Sequence, residues 1–243
     1  RGYGRMKRDF NKMFTSYSEK DGNNWGINWR SSHYKRMKDA IGIMQPALKK
    51  QNLKVLEAGC ATGDMSRLIL KSIKDLEFYD AFDISSEAIS ICKEKKLDRR
   101  CRWFVNDLAD LQLNESYDII ICCDVIYYLP AYQQRKCIDI FYEHLEKNGY
   151  LFLCVPYDKK EIDWLIKFTR RFLVENKENE YLWLWCKIES MLLKWYGQGK
   201  RGRTTKILRA LIANHKLMET FVWLNRKIFP GKHSHMYMLL RKE

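Results

Sequence analysis

Between Lys54 and Val155 the chain alternates short apolar runs with amphipathic stretches, and this alternation constrains the fold more than any other feature. Lys54–Ala58, Glu77–Ile84, Arg102–Asn106, Tyr117–Cys123 and Tyr150–Val155 read as strands. Asp64–Ile73, Ser86–Lys96 and Gln133–Lys147 read as the helices between them, by apolar spacing at three and four residues. Ser85 or Ser86 is a candidate N-cap and Asn148–Gly149 a helix stop, because a short hydroxyl serves free N–H groups and glycine accepts left-handed backbone. The strands YDIIICC and YLFLCV are apolar on both faces. Strands of that kind are covered by helices on both sides. The implied class is α/β, a doubly wound, mostly parallel sheet.

The flanks read as helical. Residues 33–50 carry Tyr34, Met37, Ile41 and Met44 at helical spacing. Three further helices are expected over roughly 160–175, 179–196 and 204–228. Trp185, Ile188, Leu192 and Trp195 share a core-facing stripe on the second, and Leu208, Leu211, Ile212, His215 and Val222 on the third. His235–Leu240 reads as a closing strand.

Charge is unevenly placed. Of the net +14, residues 1–54 carry +9 and residues 157–243 carry +10, whereas residues 55–156 carry −5. Basic ends attract phosphate, nucleic acid or anionic lipid around a mildly acidic body. The 46% hydrophobic content of the 243 residues excludes a disordered chain. No run approaches the roughly 18 apolar residues of a membrane-spanning helix. Met6 is a plausible native start, and no apolar leader region points to secretion. Eight cysteines without a C-x-x-C pair, most of them inside strand or helix patterns, read as reduced thiols of a cytoplasmic protein.

The chemistry concentrates in Val55–Asp64 (VLEAGCATGD), a strand running through a glycine-bearing turn into a helix. Small residues let a ligand approach the backbone, and the helix start offers free N–H groups. Glu57 is the informative departure, because a carboxylate at the strand end suits a cationic ligand and disfavours a pyrophosphate. Asp83, twenty residues after Gly63, ends the next strand, where an acid accepts both hydroxyls of a ribose. Asn106 and Asp107 follow the third strand and can reach an adenine edge. Ligands of open α/β sheets sit beyond the carboxyl ends of the strands, so the three acids converge on one crevice.

Taken in order, VLEAGCATGD, YDAFDIS, YDIIICCDVIYYL and LEKNGYLFL resemble the motifs of the class I S-adenosylmethionine-dependent methyltransferases, with Ala61 where glycine is commoner. The resemblance covers about residues 55–156. It implies a seven-stranded Rossmann-like sheet and S-adenosyl-L-methionine as cofactor, with S-adenosyl-L-homocysteine as product. Glu57, Gly59, Ala61, Gly63, Asp83, Ile84, Asp107, Leu108 and Cys123 are the cofactor-binding positions it implies. Asn24-Trp25-Gly26, Ser32, Tyr34 and Lys38, with Val125–Leu129, are similar to elements of small-molecule methyltransferases and of the nodulation-factor N-methyltransferases, which act on a chitooligosaccharide amine. That similarity implies Tyr34 and Lys38 near the methionine carboxylate. The expected organisation is a helical lid over residues 1–50, a cofactor-binding core over 51–158, a basic, aromatic-rich helical cap over 159–232, and a closing strand over 233–243.

Methyl transfer from a sulfonium needs alignment, desolvation and an acceptor relieved of its proton. Asp124, Tyr127 and His33 are the candidate catalytic residues, and Tyr17, Tyr128 and Tyr157 the candidate acceptor-binding ones. Aromatic rings beside a sulfonium add cation–π attraction. The expected partner is a small-molecule or glycan acceptor, with a phosphate-bearing metabolite as one form and peripheral contact with an anionic membrane through the tryptophan-rich cap as a further one. No metal is expected.

Two competing functions are weighed against this reading. An RNA methyltransferase fits the basic ends but lacks an appended RNA-binding module and an Asn/Asp-Pro-Pro-Tyr element. A non-catalytic scaffold conflicts with the presence of Glu57, Gly59, Gly63 and Asp83 together. Gly197–Gly202 fits G-x-G-x-x-G by letters but follows a helix, so it reads as a basic turn. His233 and His235 read as a polar strand edge.

Overall fold

A computed structural model describes residues 10, 14, 29–198 and 203–243. Seven strands form one sheet: β1 (Leu53–Ala58), β2 (Leu76–Asp83), β3 (Cys101–Val105), β4 (Tyr117–Cys123), β5 (Leu145–Pro156), β6 (Leu173–Asn179) and β7 (His235–Arg241). Their order is β3-β2-β1-β4-β5-β7-β6. β3, β2, β1, β4 and β5 pair in parallel, and β7 runs antiparallel to both β5 and β6. The helices are α1 (Ser31–Leu48), α2 (Asp64–Ser72), α3 (Ser86–Glu94), α4 (Ala131–Glu143), α5 (Lys159–Phe168), α6 (Trp183–Gln198), α7 (Arg203–Ile212) and α8 (His215–Ile228).

Two-sided apolar strands produce two cores. Leu56, Ile120, Leu151, Leu153 and Met238 face one layer, where α4 supplies Cys137, Ile138 and Phe141 and α5 supplies Ile162 and Leu165. Val55, Ile119, Ile121, Phe152 and Leu239 face the other, covered by Ala40, Ile43, Met44 and Ala47 of α1, Ile69 of α2, and Ile89 and Cys92 of α3. Adjacent residues of one strand point to opposite faces, so a single apolar run serves both layers. All eight cysteines are free thiols.

The cap differs from its sequence reading. Four helices and a strand replace three helices. The stretch expected to finish the first helix at 175 instead leaves it at Phe168 and enters β6. Strand β6 (LVENKEN) shows no apolar alternation because it is the sheet edge, held to β7 by backbone pairing and exposed on both faces. The expected helix over 204–228 is broken at Ala213–Asn214, where the Asn214 side chain accepts the Leu217 N–H at 3.0 Å and starts a new helix. Likewise α4 stops at Glu143, four residues before the expected end, and Asn148–Gly149 lies inside β5. There Asn148 adopts φ +60°, and a side chain on Gly149 would meet the Glu146 carbonyl at 2.8 Å.

Within the cap, Leu182 and Trp185 of the α6 region pack on Met218 and Val222 of α8, and Leu192 packs on Leu208 and Ile212 of α7. Trp195, expected on this stripe, is 58% exposed. Ten residues of helix beyond Trp185 turn it about 80° off that face. The buried Asn225 amide closes the cap, accepting the Leu184 N–H at 2.8 Å and donating to the Lys232 carbonyl at 2.8 Å. The start of α1 is fastened to the same layer: Ser31 donates to the Ile212 carbonyl at 2.7 Å, and the fully buried Glu189 accepts from Ser32 at 2.7 Å and pairs with Arg30 at 2.5 Å. Among the described residues, no helix is long and apolar enough to cross a membrane.

Candidate active site

A crevice of about 280 Å³ opens beyond the carboxyl ends of β1, β2 and β4, roofed by α1. Glu57, Asp83 and Asp107, from three neighbouring strand ends, all line it. Parallel pairing brings this about, since the same chain direction in β1, β2 and β3 delivers their following residues to one edge.

The turn after β1 is built on positive φ angles at Gly59 (+76°), Ala61 (+47°) and Gly63 (+73°). Gly59 is obligatory, because a Cβ there would lie 2.8 Å from Val125 Cβ. Its N–H donates to the Phe82 carbonyl at 2.8 Å, which ties the turn to β2. Asp83 continues that tie: Oδ2 accepts the Ala61 N–H at 2.9 Å and Oδ1 the Ser85 N–H at 2.9 Å. Burial raises the Asp83 carboxyl above the usual carboxylate range, against those backbone hydrogen bonds. Glu57 is 3% exposed and accepts from Tyr79 OH at 2.7 Å and from Ser66 Oγ. Burial pushes it up to about 7, the two hydrogen bonds resisting. A buried carboxylate poised near neutrality favours a cationic partner, because a nearby positive charge restores the ionised form. Asp107 accepts the Ala109 N–H at 3.0 Å.

The opposite end of the crevice is lined by His33, Arg36 and Met37 of α1, Cys123 and Asp124 at the end of β4, Cys154 of β5 and His235 of β7. Tyr127 and Tyr128 form an aromatic wall with Phe10, their rings 4.4 Å apart at the centroids and Phe10 edge-on to Tyr128 at 5.3 Å. Asp124 has φ +56° and pairs with the Arg36 guanidinium. Burial raises the Tyr127 phenol and lowers the His33 imidazole well below its ordinary value, Arg36 and Arg30 adding to the latter. Sulfur and oxygen atoms of Cys123, Asp124 and Cys154 lie within 4.8 Å of one another, with the Arg36 cation already on Asp124.

Of the positions named from the sequence, Glu57, Gly59, Ala61, Asp83, Ile84, Asp107, Leu108, Cys123, Asp124, Tyr127, Tyr128 and His33 line the crevice. Gly63 lies just behind it, caging the turn against Cys92. Tyr34, Lys38 and Tyr157 lie elsewhere. Tyr34 is exposed and stacks edge-on against His215 at 5.0 Å, Lys38 is exposed, and Tyr157 packs on His233. The cause for the first two is helical phase: His33, Arg36 and Met37 face inward at i, i+3 and i+4, and each next residue is turned about 100° away. Tyr17 and the Asn24-Trp25-Gly26 element lie outside the described residues, as do Gly199–Gly202 of the glycine-rich turn. Sequence reasoning missed Arg36, Met37, Cys154, Phe10 and Phe14. It also placed His235 on a polar edge, whereas β7 is internal and delivers it into the crevice.

The family description that matches is a methyltransferase domain, over residues 56–151. Nodulation protein S of Azorhizobium caulinodans is 32% identical over 128 residues, 51% of this chain and 58% of that protein. A malonyl-[acyl-carrier protein] O-methyltransferase of Bacillus anthracis is 27% identical over 129 residues, 53% of this chain and 47% of that protein. The chain thus spans about half the length of the curated relatives it matches. Among solved structures, N-methyltransferase NodS of Bradyrhizobium japonicum WM9 in complex with S-adenosyl-L-homocysteine shares the fold with a TM-score of 0.64 at 14% identity, covering 97% of each chain. Magnesium protoporphyrin IX methyltransferase of Synechocystis PCC 6803 with bound S-adenosylmethionine gives a TM-score of 0.56 at 13% identity, covering 100% of this chain and 92% of the other. With its sheet order, its glycine turn and three strand-end acids at one crevice, the chain shares the fold of these methyltransferases, and its residues 56–151 match the methyltransferase domain.

Proposed function

We propose that the chain transfers a methyl group from S-adenosylmethionine to an amine or hydroxyl of a small-molecule or glycan-type acceptor. The observation that carries this reading is the meeting of Glu57, Asp83 and Asp107 in one crevice whose far wall is aromatic and protic. The residues fit the cofactor by their chemistry. Glu57 suits an ammonium or sulfonium, Asp83 a ribose diol, and Asp107 an adenine edge, with Ile84, Leu108 and Cys123 closing on the nucleoside. The bound cofactor supplies an electrophilic methyl on a positively charged sulfur.

The protein's own part is to hold that charge, exclude water and seat the acceptor. Tyr127 and Tyr128 offer ring faces to a cation. Asp124, committed to Arg36, orients the acceptor end rather than serving as a free carboxylate. His33, buried without a hydrogen bond on Nε2, is open to an acceptor proton donor. Nitrogen is the first choice of acceptor atom, supported by the N-methyltransferase among the structural neighbours, and the O-methyltransferase relatives support oxygen as the alternative. We assign residues 1–50 as the lid, the cap over 159–232 as the acceptor side, and the cytoplasm as the location. A phosphate on the acceptor and an anionic membrane surface are the partners that suit the basic cap. Isothermal titration calorimetry with S-adenosylmethionine is the test. Saturable one-to-one binding, weakened by Asp83→Asn, is expected, and a folded chain that binds neither cofactor nor product overturns the reading.

A further inference from the structure

Three titratable groups at the acceptor end come from parts of the chain far apart in sequence. His235 opens β7 and lines the crevice. Its Nδ1, which makes no hydrogen bond at this distance, lies 3.4 Å from Glu180 Oε2, and its Nε2 lies 3.6 Å from Asp124 Oδ1. Glu180 directly follows edge strand β6 and is 4% exposed. Ser234 fixes its carboxylate, donating to Oε2 at 2.8 Å, while Oε1 is buried without a hydrogen bond. The Glu180 N–H donates to the His235 carbonyl at 2.9 Å, and the Ser234 N–H to the Glu180 carbonyl at 2.9 Å. The backbone thus clamps the imidazole and the carboxylate side by side.

We propose that His235 is the base that takes the acceptor's proton through Nε2, and that Glu180 is the positioning residue that keeps the proton of the resting ring on Nδ1. The inference rests on the methyltransferase reading and deepens it. Asp124, Tyr127 and His33 are poorer bases in place, the His33 imidazole being held well below its ordinary value by burial and by Arg36 and Arg30 and having no carboxylate to favour its charged form. The Asp124 carboxylate is neutralised by Arg36, and burial makes the Tyr127 phenol hard to ionise. His235 is neutral at rest, because burial and the Arg36 cation lower its imidazole while Glu180 pulls the other way. A neutral ring has one bare nitrogen. With Glu180 beside Nδ1, the bare one is Nε2, which faces the crevice.

The other titratable groups around the ring are Arg36 and His33 from α1, Cys123 and Asp124 from the β4 end, Cys154 from β5 and Tyr237 from β7. Arg36 set against Asp124 and Glu180 leaves one negative charge in excess, which accommodates the imidazolium once formed. The step balances. The acceptor's lone pair forms the bond to the methyl carbon as the carbon–sulfur bond breaks, the sulfur keeps that electron pair, and the acceptor's proton moves to Nε2. A positioned base of this kind contributes about 100- to 10,000-fold in rate.

The test is nitrogen-15 NMR of the histidine side chains in the full chain between pH 5 and 9, with the His235 signal assigned by its loss in His235→Gln. A neutral ring at pH 7.5 with the proton on Nδ1 is expected, and Glu180→Gln is expected to mix the two tautomers and lower the titration midpoint. Ser234→Ala, a milder change, is expected to move the midpoint in the same direction by less. A charged ring at pH 7.5, a proton resident on Nε2, or a spectrum indifferent to Glu180→Gln overturns the inference. The kinetic arm uses chitotetraose carrying one free amine as probe. His235→Gln is expected to lower kcat at least 100-fold with KM within about threefold, and a variant that keeps wild-type turnover overturns the assignment. Calorimetry with S-adenosylhomocysteine separates the two levels. Failure of the wild-type chain to bind it removes the methyltransferase reading together with this inference, whereas intact binding with the proton on Nε2 removes this inference alone.

Discussion

Replacing Glu57 by glutamine tests the crevice from two sides. The group is 3% exposed, and burial lifts its carboxyl from 4.5 to about 7. Below pH 4.5 it is protonated in the folded and unfolded chain alike, so it contributes nothing to the difference between them. From there to about pH 7 the unfolded chain has released the proton and the folded chain still holds it. Over that window this one group lowers the unfolding free energy by about 1.4 kcal/mol per pH unit. Above about pH 7 both forms are ionised and the whole penalty, about 3 kcal/mol, is in force. Glutamine keeps the shape and an oxygen for Ser66 and Tyr79 to donate to, and it has no charge to bury. Glu57→Gln is therefore expected to exceed the wild type in stability by about 2–3 kcal/mol at pH 8 and to converge with it toward pH 4.5. The same variant is expected to bind S-adenosylmethionine about tenfold or more weakly, since a cation then faces a neutral amide. Urea denaturation at pH 5, 6.5 and 8 gives the first quantity and calorimetry the second. A variant less stable than the wild type at pH 8, or a difference that does not change with pH, refutes the argument.

Other substitutions probe other parts. Gly59→Ala places a methyl 2.8 Å from the Val125 side chain at φ +76° and is expected to lose about 2–4 kcal/mol in urea denaturation. Asp83→Asn removes the acceptor of one of two backbone hydrogen bonds and is expected to weaken cofactor binding about tenfold by calorimetry with a smaller loss of stability, about 1 kcal/mol. Arg30→Ala strips the cationic partner from fully buried Glu189, leaving it only the Ser32 hydroxyl, and is expected to cost about 3 kcal/mol, partly restored by Glu189→Gln in the same chain. Trp185→Ala leaves a large void between α6 and α8 and is expected to cost about 3–5 kcal/mol. Thermal melting read by tryptophan fluorescence or circular dichroism follows both of these last variants.

The core half was legible because its signals are local. A strand buried on both sides is apolar along its buried length, and Ile119–Cys123 and the end of β5 are. A turn that carries left-handed backbone needs small residues, and Gly59 and Gly63 announce it. The other half, cap and roof, was opaque because its signals are relational. Strand β6 is exposed on both faces, and the backbone of β7 makes it a strand. Arg36 sits two residues from Tyr34, and only the roll of α1 on the sheet decides which of them faces inward. That roll is set by Ala40, Ile43, Met44 and Ala47, small and large residues mixed, whereas the more conspicuous Tyr34 and Ile41 suggested another face. Trp195 misled for the converse reason, since a large aromatic at helical spacing is buried only where a partner helix reaches it.

The cap leaves and rejoins the sheet at one place. Pro156 of β5 stands directly across from His235 of β7, and the whole intervening segment, edge strand included, hangs from that pair of neighbours. A loop hung this way can lengthen, shrink or be exchanged without disturbing the strands that carry Glu57, Asp83 and Asp107. The acidic crevice and the helical cap are thus written in separable stretches of chain, so the one can be remodelled over evolutionary time while the other stays the same.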